Sequence, residues 1–156
     1  MNDALHGRVN REVPGPAGKV ATRAAMDHGQ LIAAAAAAAI AFRASEHCEV
    51  GDVGAALLTD DGRVFSGASI DCKCGIGFCA EHSAVAEMLK TRATRVRAVV
   101  AVNGNGTVLP PCGRCRELLY QVDPANLDTD VIIAADRTVK LRELLPYPWQ
   151  PTHKPG

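Results

Sequence analysis

Apolar positions in the first half of the chain follow first a helical and then an extended pattern. The alanine-rich stretch from about 27 to 45 predicts a helix with Asp27 as its N-cap. Two apolar runs, 53–59 and 63–70, flank the sequence Asp-Asp-Gly at 60–62. Runs of this length on either side of a turn sequence predict two strands that pair as a β-hairpin.

In the second half of the chain, helical and extended patterns alternate. The predicted elements are a helix over 79–91, a strand over 97–102, a helix over 112–121, a strand over 131–135 and a short helical turn over 141–145. A hairpin followed by this alternation predicts an α/β fold in which a mixed sheet has helices on both faces. The expected architecture is therefore a three-layer α/β/α sandwich.

The two ends of the chain lack this periodicity. Residues 1–25 contain several prolines and glycines among scattered charges, and they predict a flexible N-terminal arm. Residues 151–156 predict a proline-rich C-terminal tail. Residues 26–150 between them are expected to form one domain, since 156 residues are enough to bury a core.

Charge and hydropathy exclude several classes of partner. Apolar residues make up 47% of the chain, as is typical of a globular protein. The 17 basic and 17 acidic residues balance, so neither nucleic acid nor an anionic membrane surface is an expected partner. The apolar run 31–42 is 12 residues long, whereas a helix needs about 20 to span a bilayer.

The six cysteines allow two interpretations of cellular compartment. They could form three disulfides in a secreted protein. Two of them instead form a Cys-x-x-Cys pattern at 112–115, and the chain shows no convincing secretion signal. Reduced thiols and a cytoplasmic location are therefore expected, with the disulfide-bonded secreted protein as the alternative.

Three of the cysteines and one acid have the spacing of a catalytic zinc site. Cys112 and Cys115 lie one helical turn apart at a helix start, and Cys79 begins the helix before them. Three thiolates leave the fourth position of a tetrahedral zinc ion open for water. Two helix N-termini offset the thiolate charge and lower the thiol pKa values. Glu81 is placed to take a proton from that water.

The remaining cysteines leave other arrangements open. Cys72 and Cys74 could join the Cys112 and Cys115 thiols in a closed structural zinc site, which would leave Cys79 as a core thiol. Otherwise Cys72 and Cys74 are expected to be loop thiols, or a redox pair. Cys48 is expected to be a buried small apolar residue in a loop over 46–52.

Cys-Ala-Glu at 79–81, followed by Pro-Cys-Gly-Arg-Cys at 111–115, resembles the zinc-dependent cytidine deaminase family. Four segments resemble the family in the same order: 53–58, 61–65, 111–118 and 141–146. The resemblance implies one Zn²⁺ per chain, held by Cys79, Cys112 and Cys115, with Glu81 as the proton shuttle. It also implies a mixed five-stranded sheet and a homotetramer with active sites at subunit interfaces.

The chain departs from the family where substrate is held. Ser69 and Asp71 stand at positions where the family usually carries Asn and Glu to hold the ribose, and Gly51 replaces a Phe. His82 replaces an Arg that tempers the thiolate charge, a task that Arg114 can take over. The candidate substrate-binding residues are Ser69, Asp71, Ala80, Arg114 and Trp149. The Cys-Gly-Arg-Cys-Arg form at 112–116 is closer to blasticidin S deaminases.

The resulting prediction is a zinc-dependent hydrolase that acts on the C–N bond of a cyclic amidine. Cytidine or deoxycytidine would be converted to uridine or deoxyuridine with release of ammonia. Blasticidin S, or another aminated heterocycle, is the alternative substrate. A non-catalytic structural zinc module is the alternative of another class, and Glu81 distinguishes it from an enzyme because only an enzyme needs the acid.

Overall fold

The computed structural model describes residues 26–149, so the predicted arm and tail lie outside the described residues. The strands are β1 (Phe42–Ser45), β2 (Cys48–Thr59), β3 (Val64–Cys72), β4 (Val96–Asn103), β5 (Val108–Leu109), β6 (Asp130–Ala134) and β7 (Arg137–Lys140). The helices are α1 (His28–Ala38), α2 (Ala80–Lys90), α3 (Gly113–Val122) and α4 (Leu141–Leu144). None of these helices is long and apolar enough to cross a membrane.

The strands form one mixed sheet, which confirms the predicted class. The main path runs β1-β2-β4-β6-β7, while β3 pairs with β2 and β5 pairs with β4. Strands β4 and β6 are parallel, and the other pairs are antiparallel. The predicted count of five strands is wrong, because the sheet already has seven within residues 26–149. The predicted elements left out β1, β5 and β7, which span two to four residues and are too short to show a period.

Alternate residues of the central strands face opposite layers. Ala56 and Val100 pack in one apolar cluster with Leu31 of α1. Leu57 and Val99, their neighbours in the sequence, pack in another cluster with residues of α2, α3 and α4. Helices therefore cover both faces of the sheet, and the predicted three-layer sandwich is confirmed.

Helix α1 ends earlier than its alanine content predicts. Asp27 caps the helix as expected, since its side chain accepts a hydrogen bond from the Gln30 amide. The helix stops at Ala38 rather than near residue 45, and Phe42–Ser45 becomes strand β1. Pairing with β2 outweighs local helix propensity here, because propensity is only a weak preference. The predicted loop over 46–52 is likewise wrong, because β2 already begins at Cys48.

Two glycines allow the layers to approach closely. A side chain at Gly54 of β2 would lie 2.1 Å from the Ala35 carbonyl oxygen of α1. A side chain at Gly67 of β3 would lie 2.4 Å from Ser83 of α2. Both helices therefore rest directly on the strand backbone, and α2 is held at a fixed height above the β2–β3 pair.

Candidate zinc site and catalytic cavity

Two helix starts bring the predicted zinc ligands together. Cys79 is the N-cap of α2, and Cys112 is the N-cap of α3. Cys115 follows one turn into α3 and is fully buried. The predicted helices are confirmed at these ends to within one residue. Both N-termini, with their partial positive charge, are therefore directed at the same group of sulfurs.

The distances between the sulfurs suit a tetrahedral metal ion. Cys112 Sγ lies 3.6 Å from Cys79 Sγ and 3.5 Å from Cys115 Sγ. Zinc–sulfur bonds of about 2.3 Å in a tetrahedron would separate two sulfurs by about 3.8 Å. The three thiols therefore fit Zn²⁺ with little movement.

His82, one turn into α2, also reaches this group. Its Nδ1 lies 3.6 Å from Cys115 Sγ. The ligand atoms of Cys79, His82 and Cys115 all lie within 4.8 Å of one another, which makes this set able to hold a metal ion. The sequence places His82 where the family often carries an Arg. Its position adds a possible nitrogen ligand.

The thiols of the site differ in acidity. Burial opposes ionisation of Cys112, but hydrogen bonds from the Cys115 amide and from the neighbouring thiols outweigh it, so the pKa of Cys112 is lowered. Burial, and then the Glu81 charge, raise the pKa of Cys115. Burial also raises the pKa of Cys79. Cys112 at the start of α3 is therefore easier to ionise than Cys79 or Cys115, and a bound dication would favour the thiolate form of all three.

Cys79, Cys112 and Glu81 line a cavity of about 350 Å³. Glu81 lies in the first turn of α2 and is only 4% exposed. A carboxylate is rarely buried unless it has a task or a partner. Ala80 and Phe78 form apolar parts of the wall next to it. The cavity therefore presents an acid and a set of metal ligands to a small molecule.

Burial, and then the charge of Arg114, lower the pKa of His82. The imidazole is therefore favoured in its neutral form, in which one ring nitrogen can bind a metal and the other can donate a hydrogen bond. A metal-binding set with both sulfur and nitrogen donors is typical of zinc.

Comparison with known proteins decides the family. The family model for the cytidine and deoxycytidylate deaminase zinc-binding region matches residues 26–129, which is well over half of the chain. The chain belongs to this deaminase family. The predicted family, the predicted class of hydrolase acting on a C–N bond and the predicted zinc cofactor are confirmed by this match together with the site geometry.

Individual relatives agree. The deaminase is 40% identical to the cytidine deaminase of Mycobacterium tuberculosis over 95 residues, covering 60% of this chain and 69% of that protein. It is 34% identical to the cytidine deaminase of Halalkalibacterium halodurans over 102 residues, covering 60% of this chain and 74% of that protein.

Solved structures of cytidine deaminases share the fold. The crystal structure from Mycobacterium tuberculosis has a TM-score of 0.68 and 33% identity, and the match covers 80% of this chain and 98% of that one. The structure from Mycobacterium leprae has a TM-score of 0.66 and 31% identity, covering 78% of this chain and 99% of that one.

The deaminase brings most of its predicted substrate-binding residues to the cavity. Ser69, Asp71, Ala80 and Arg114 all line it. Trp149 does not line the cavity of its own chain. Its backbone amide donates a hydrogen bond to the Glu117 carboxylate, and the residue is 64% exposed.

Gly51, which the departure from the family suggested as a substrate determinant, does not line the cavity either. It has a φ of +87°, and a side chain there would lie 2.1 Å from the Ile40 carbonyl oxygen. The glycine is therefore needed for the close contact between β2 and the segment that leads into β1. The idea that Gly51 selects the substrate is not supported.

The closed set of four thiols is not formed. Cys72 lies beside Cys48, with 3.3 Å between the sulfurs, while Cys112 lies beside Cys79. Among residues 26–149, the group of side chains able to hold a metal contains Cys79, His82 and Cys115 but neither Cys72 nor Cys74. The interpretation of Cys79 as a spare core thiol is therefore wrong.

Sequence reasoning missed most of the apolar lining of the cavity. Val53, Leu109 and Pro110 line the cavity together with Phe78. Leu109 belongs to β5, a strand that the pattern did not predict. Phe78 directly precedes Cys79, so its place in the chain was a usable signal.

Arg116 fixes the approach to α3. Its guanidinium donates to the Pro111 carbonyl at 2.8 Å and to the Leu144 carbonyl at 3.1 Å. One side chain thus ties the residue before Cys112 to the end of α4. Arg116 does not line the cavity, so it acts by positioning, whereas Arg114 lines the cavity and can touch a substrate.

Proposed function

We propose that this deaminase converts cytidine or deoxycytidine to uridine or deoxyuridine, with release of ammonia. The observation that carries the proposal is a nearly buried Glu81 in the same cavity as the Cys79 and Cys112 sulfurs. Hydrolytic deamination of a cytosine ring needs this pair of features, a metal site and a carboxylate that is not a ligand.

Cys79, Cys112 and Cys115 are the proposed zinc ligands, because their sulfurs already lie close to the spacing of a tetrahedral site. Zinc held there supplies a nucleophile at neutral pH by lowering the pKa of water to about 7. His82 stays close to Cys115 and can donate a hydrogen bond to its thiolate, which spreads the negative charge of the ligand set.

Glu81 carries the proton transfers in the proposed reaction. Its carboxylate takes a proton from the attacking water and delivers it to N3 of the ring. A second transfer brings a proton to the amino group on C4, which leaves as ammonia. Burial suits this task, since bulk water cannot compete for the proton at a carboxylate that is 4% exposed.

The sugar is proposed to lie against β3. Ser69 Oγ accepts a hydrogen bond from the Val53 amide at 3.1 Å, so its own hydrogen remains available to donate into the cavity. Asp71 is exposed at the cavity rim and can accept hydrogen bonds from sugar hydroxyls. Arg114, an exposed residue of α3 that also lines the cavity, can donate to an oxygen of the substrate.

Blasticidin S, a cytosine nucleoside antibiotic, is the second candidate substrate. Ser69 and Asp71 are the short side chains that favour it, since they leave room beside the sugar position. The ring chemistry is the same for both candidates. Only the contacts away from the amino group separate them.

A substrate panel tests the proposal. Zinc-loaded protein is incubated with cytidine, deoxycytidine and blasticidin S, and the ultraviolet loss of the 4-amino chromophore is followed. Turnover of cytidine or deoxycytidine, abolished in Glu81→Gln, is the expected result. No turnover of either nucleoside would overturn the first choice, and turnover of blasticidin S alone would establish the second.

We also infer a cytoplasmic homotetramer in which Trp149 contacts a neighbouring subunit. Trp149 is 64% exposed and Tyr147 is 92% exposed, which is unfavourable for aromatic rings without a partner. Light scattering of the purified protein measures the mass directly. A monomer of 16.4 kDa would contradict the inference.

A further inference from the structure

A second group of close thiols lies apart from the zinc ligands. Cys48 is the first residue of β2, and Cys72 is the last residue of β3. The two residues are direct partners in the strand pairing, and their sulfurs are 3.3 Å apart. The sequence predicted a small apolar residue at Cys48 and a loop thiol at Cys72. The register of the hairpin instead brings the two sulfurs together.

The backbone geometry at this pair suits a disulfide. The Lys73 amide donates to the His47 carbonyl at 3.2 Å, one residue outside the pair on each strand. Cys48 and Cys72 are therefore a non-hydrogen-bonded pair, for which Cα atoms stand about 4.5 Å apart. Disulfides span Cα distances of about 4.4–6.8 Å, so a bond can form without moving the strands.

The pair is open to a small reagent. Both cysteines are partly exposed, and they line a second cavity of about 360 Å³. Arg43 and Lys73 supply positive charge to this cavity, which also contains acidic side chains. The Cys72 thiol donates a hydrogen bond to the Cys48 sulfur, and this bond raises the pKa of Cys72. Cys48 is therefore the sulfur placed to attack first.

We propose that Cys48 and Cys72 form a reversible disulfide when the protein meets a small-molecule disulfide as oxidant. The Cys48 thiolate attacks one sulfur of the oxidant, forms a mixed disulfide and expels one thiolate. Cys72 loses its proton, attacks the Cys48 sulfur and expels the second thiolate. The protein loses two electrons and two protons, and the oxidant becomes two thiols.

The bond would restrain the rim of the catalytic cavity. Residues 73–77 leave β3 after Cys72 and return at Phe78, whose backbone exchanges two hydrogen bonds with Ile70 at 2.8 and 3.0 Å. Asp71 lines both cavities, and Cys79 follows directly after Phe78. A disulfide between Cys72 and Cys48 therefore restrains the start of segment 73–77. The end of this segment is already held to β3 by the hydrogen bonds between Phe78 and Ile70.

The test uses the full chain loaded with zinc, so that the zinc ligands are protected from oxidation. The protein is equilibrated with oxidised and reduced glutathione in varied ratio, alkylated, and digested without reduction. The expected result is a loss of two alkylated thiols, a linked peptide that contains Cys48 and Cys72, and full reversal by dithiothreitol. Amide hydrogen exchange of residues 73–77 should slow in the oxidised form.

Variants separate this proposal from the proposed function, because thiol counts do not depend on turnover. Cys48→Ser and Cys72→Ser should abolish the linked peptide, while Cys74→Ser, a change at an exposed thiol two residues away, should keep it. Each variant is first shown to retain its zinc and its unfolding temperature. A Cys72–Cys74 link, glutathione adducts alone, or six unchanged thiols would overturn the disulfide. Unchanged exchange at 73–77 would overturn the restraint.

Discussion

The α2–α3 wall of the cavity and its β3 wall hold their polar groups in different ways. On the α2–α3 wall, Cys115 is fully buried and Glu81 is 4% exposed, and the ligand sulfurs are already gathered. On the β3 wall, Asp71 is exposed and Ser69 shares its hydroxyl with a backbone amide. Bond rearrangement needs fixed geometry, whereas recognition of a sugar tolerates exposed groups. We therefore expect the reaction to depend mainly on the α2–α3 wall, and contacts to the sugar to depend mainly on the β3 wall.

The largest effect is expected from the ligand set. Cys115→Ser should lose stoichiometric zinc, with a fall in turnover beyond the roughly 10⁴-fold that loss of one proton-transfer group can cause. Metal content by atomic emission and turnover of cytidine measure the two losses. Cys74→Ser is the matched control, since Cys74 is an exposed thiol that does not line the cavity. Full zinc content in Cys115→Ser would remove this thiol from the ligand set.

Glu81→Gln should separate metal binding from catalysis on the same wall. The amide keeps the shape of the side chain but cannot take a proton, so kcat should fall by about 10²- to 10⁴-fold while zinc is retained. Glu87→Gln controls for a charge change on α2, because Glu87 is exposed and pairs with Lys90. Equal losses in both variants would mean that Glu81 has no proton-transfer role.

On the β3 wall, Asp71→Asn should weaken substrate binding only. The loss of a hydrogen bond to the sugar is worth about 0.5–1.5 kcal/mol, which corresponds to an increase in KM of roughly 2- to 13-fold. The value of kcat should stay unchanged, since Asp71 takes no part in the proposed proton transfers. Steady-state kinetics with cytidine measures both constants, and Asp136→Asn, at an exposed turn, is the control. A loss confined to kcat would place Asp71 with the catalytic wall.

The smallest effect is expected at the other end of the β2–β3 hairpin. Hydrogen bonds from Arg63 and Thr59 lower the pKa of Asp61 to about 2 from its ordinary 3.8. A lowered pKa stabilises the folded state above about pH 4, and this contribution disappears as the pH falls through 2. Asp61 is 54% exposed, so Asp61→Asn should cost under about 1 kcal/mol in urea unfolding at pH 7. Its kcat/KM should not change, and a lower kcat/KM would show that the hairpin transmits strain to the cavity.

The two helix starts were predictable because their signals are local. Cys79 and Cys112 stand one residue ahead of clear helical patterns, and Pro111 marks the second start. Once both helices pack on one face of the sheet, their N-termini can meet. The mixed sheet and its layers followed from the order of helical and extended runs.

Features that depend on register were not predictable. The pairing of Cys48 with Cys72 depends on where β2 begins, and the sequence pattern placed that start five residues too late, at Val53. The end of α1 depends on a strand pairing between Phe42 and Val50, which outweighs the alanine run. The glycine at position 51 suggested an altered substrate pocket, although the structure shows that Gly51 allows a close contact with Ile40. Local sequence patterns carry no information about contacts between residues that are distant in the chain.

The single parallel pairing described in the sheet also constrains how the protein assembles. Strand β4 meets β6 through Ala98 and Asp130, and the connection between them carries α3 with two of the proposed ligands. Pairings between residues distant in the chain form late, because loop closure must come first. During refolding, an added metal ion would meet a complete ligand set only after this crossover has docked against α2. The rate of metal uptake during refolding would thus report when the crossover has docked against α2.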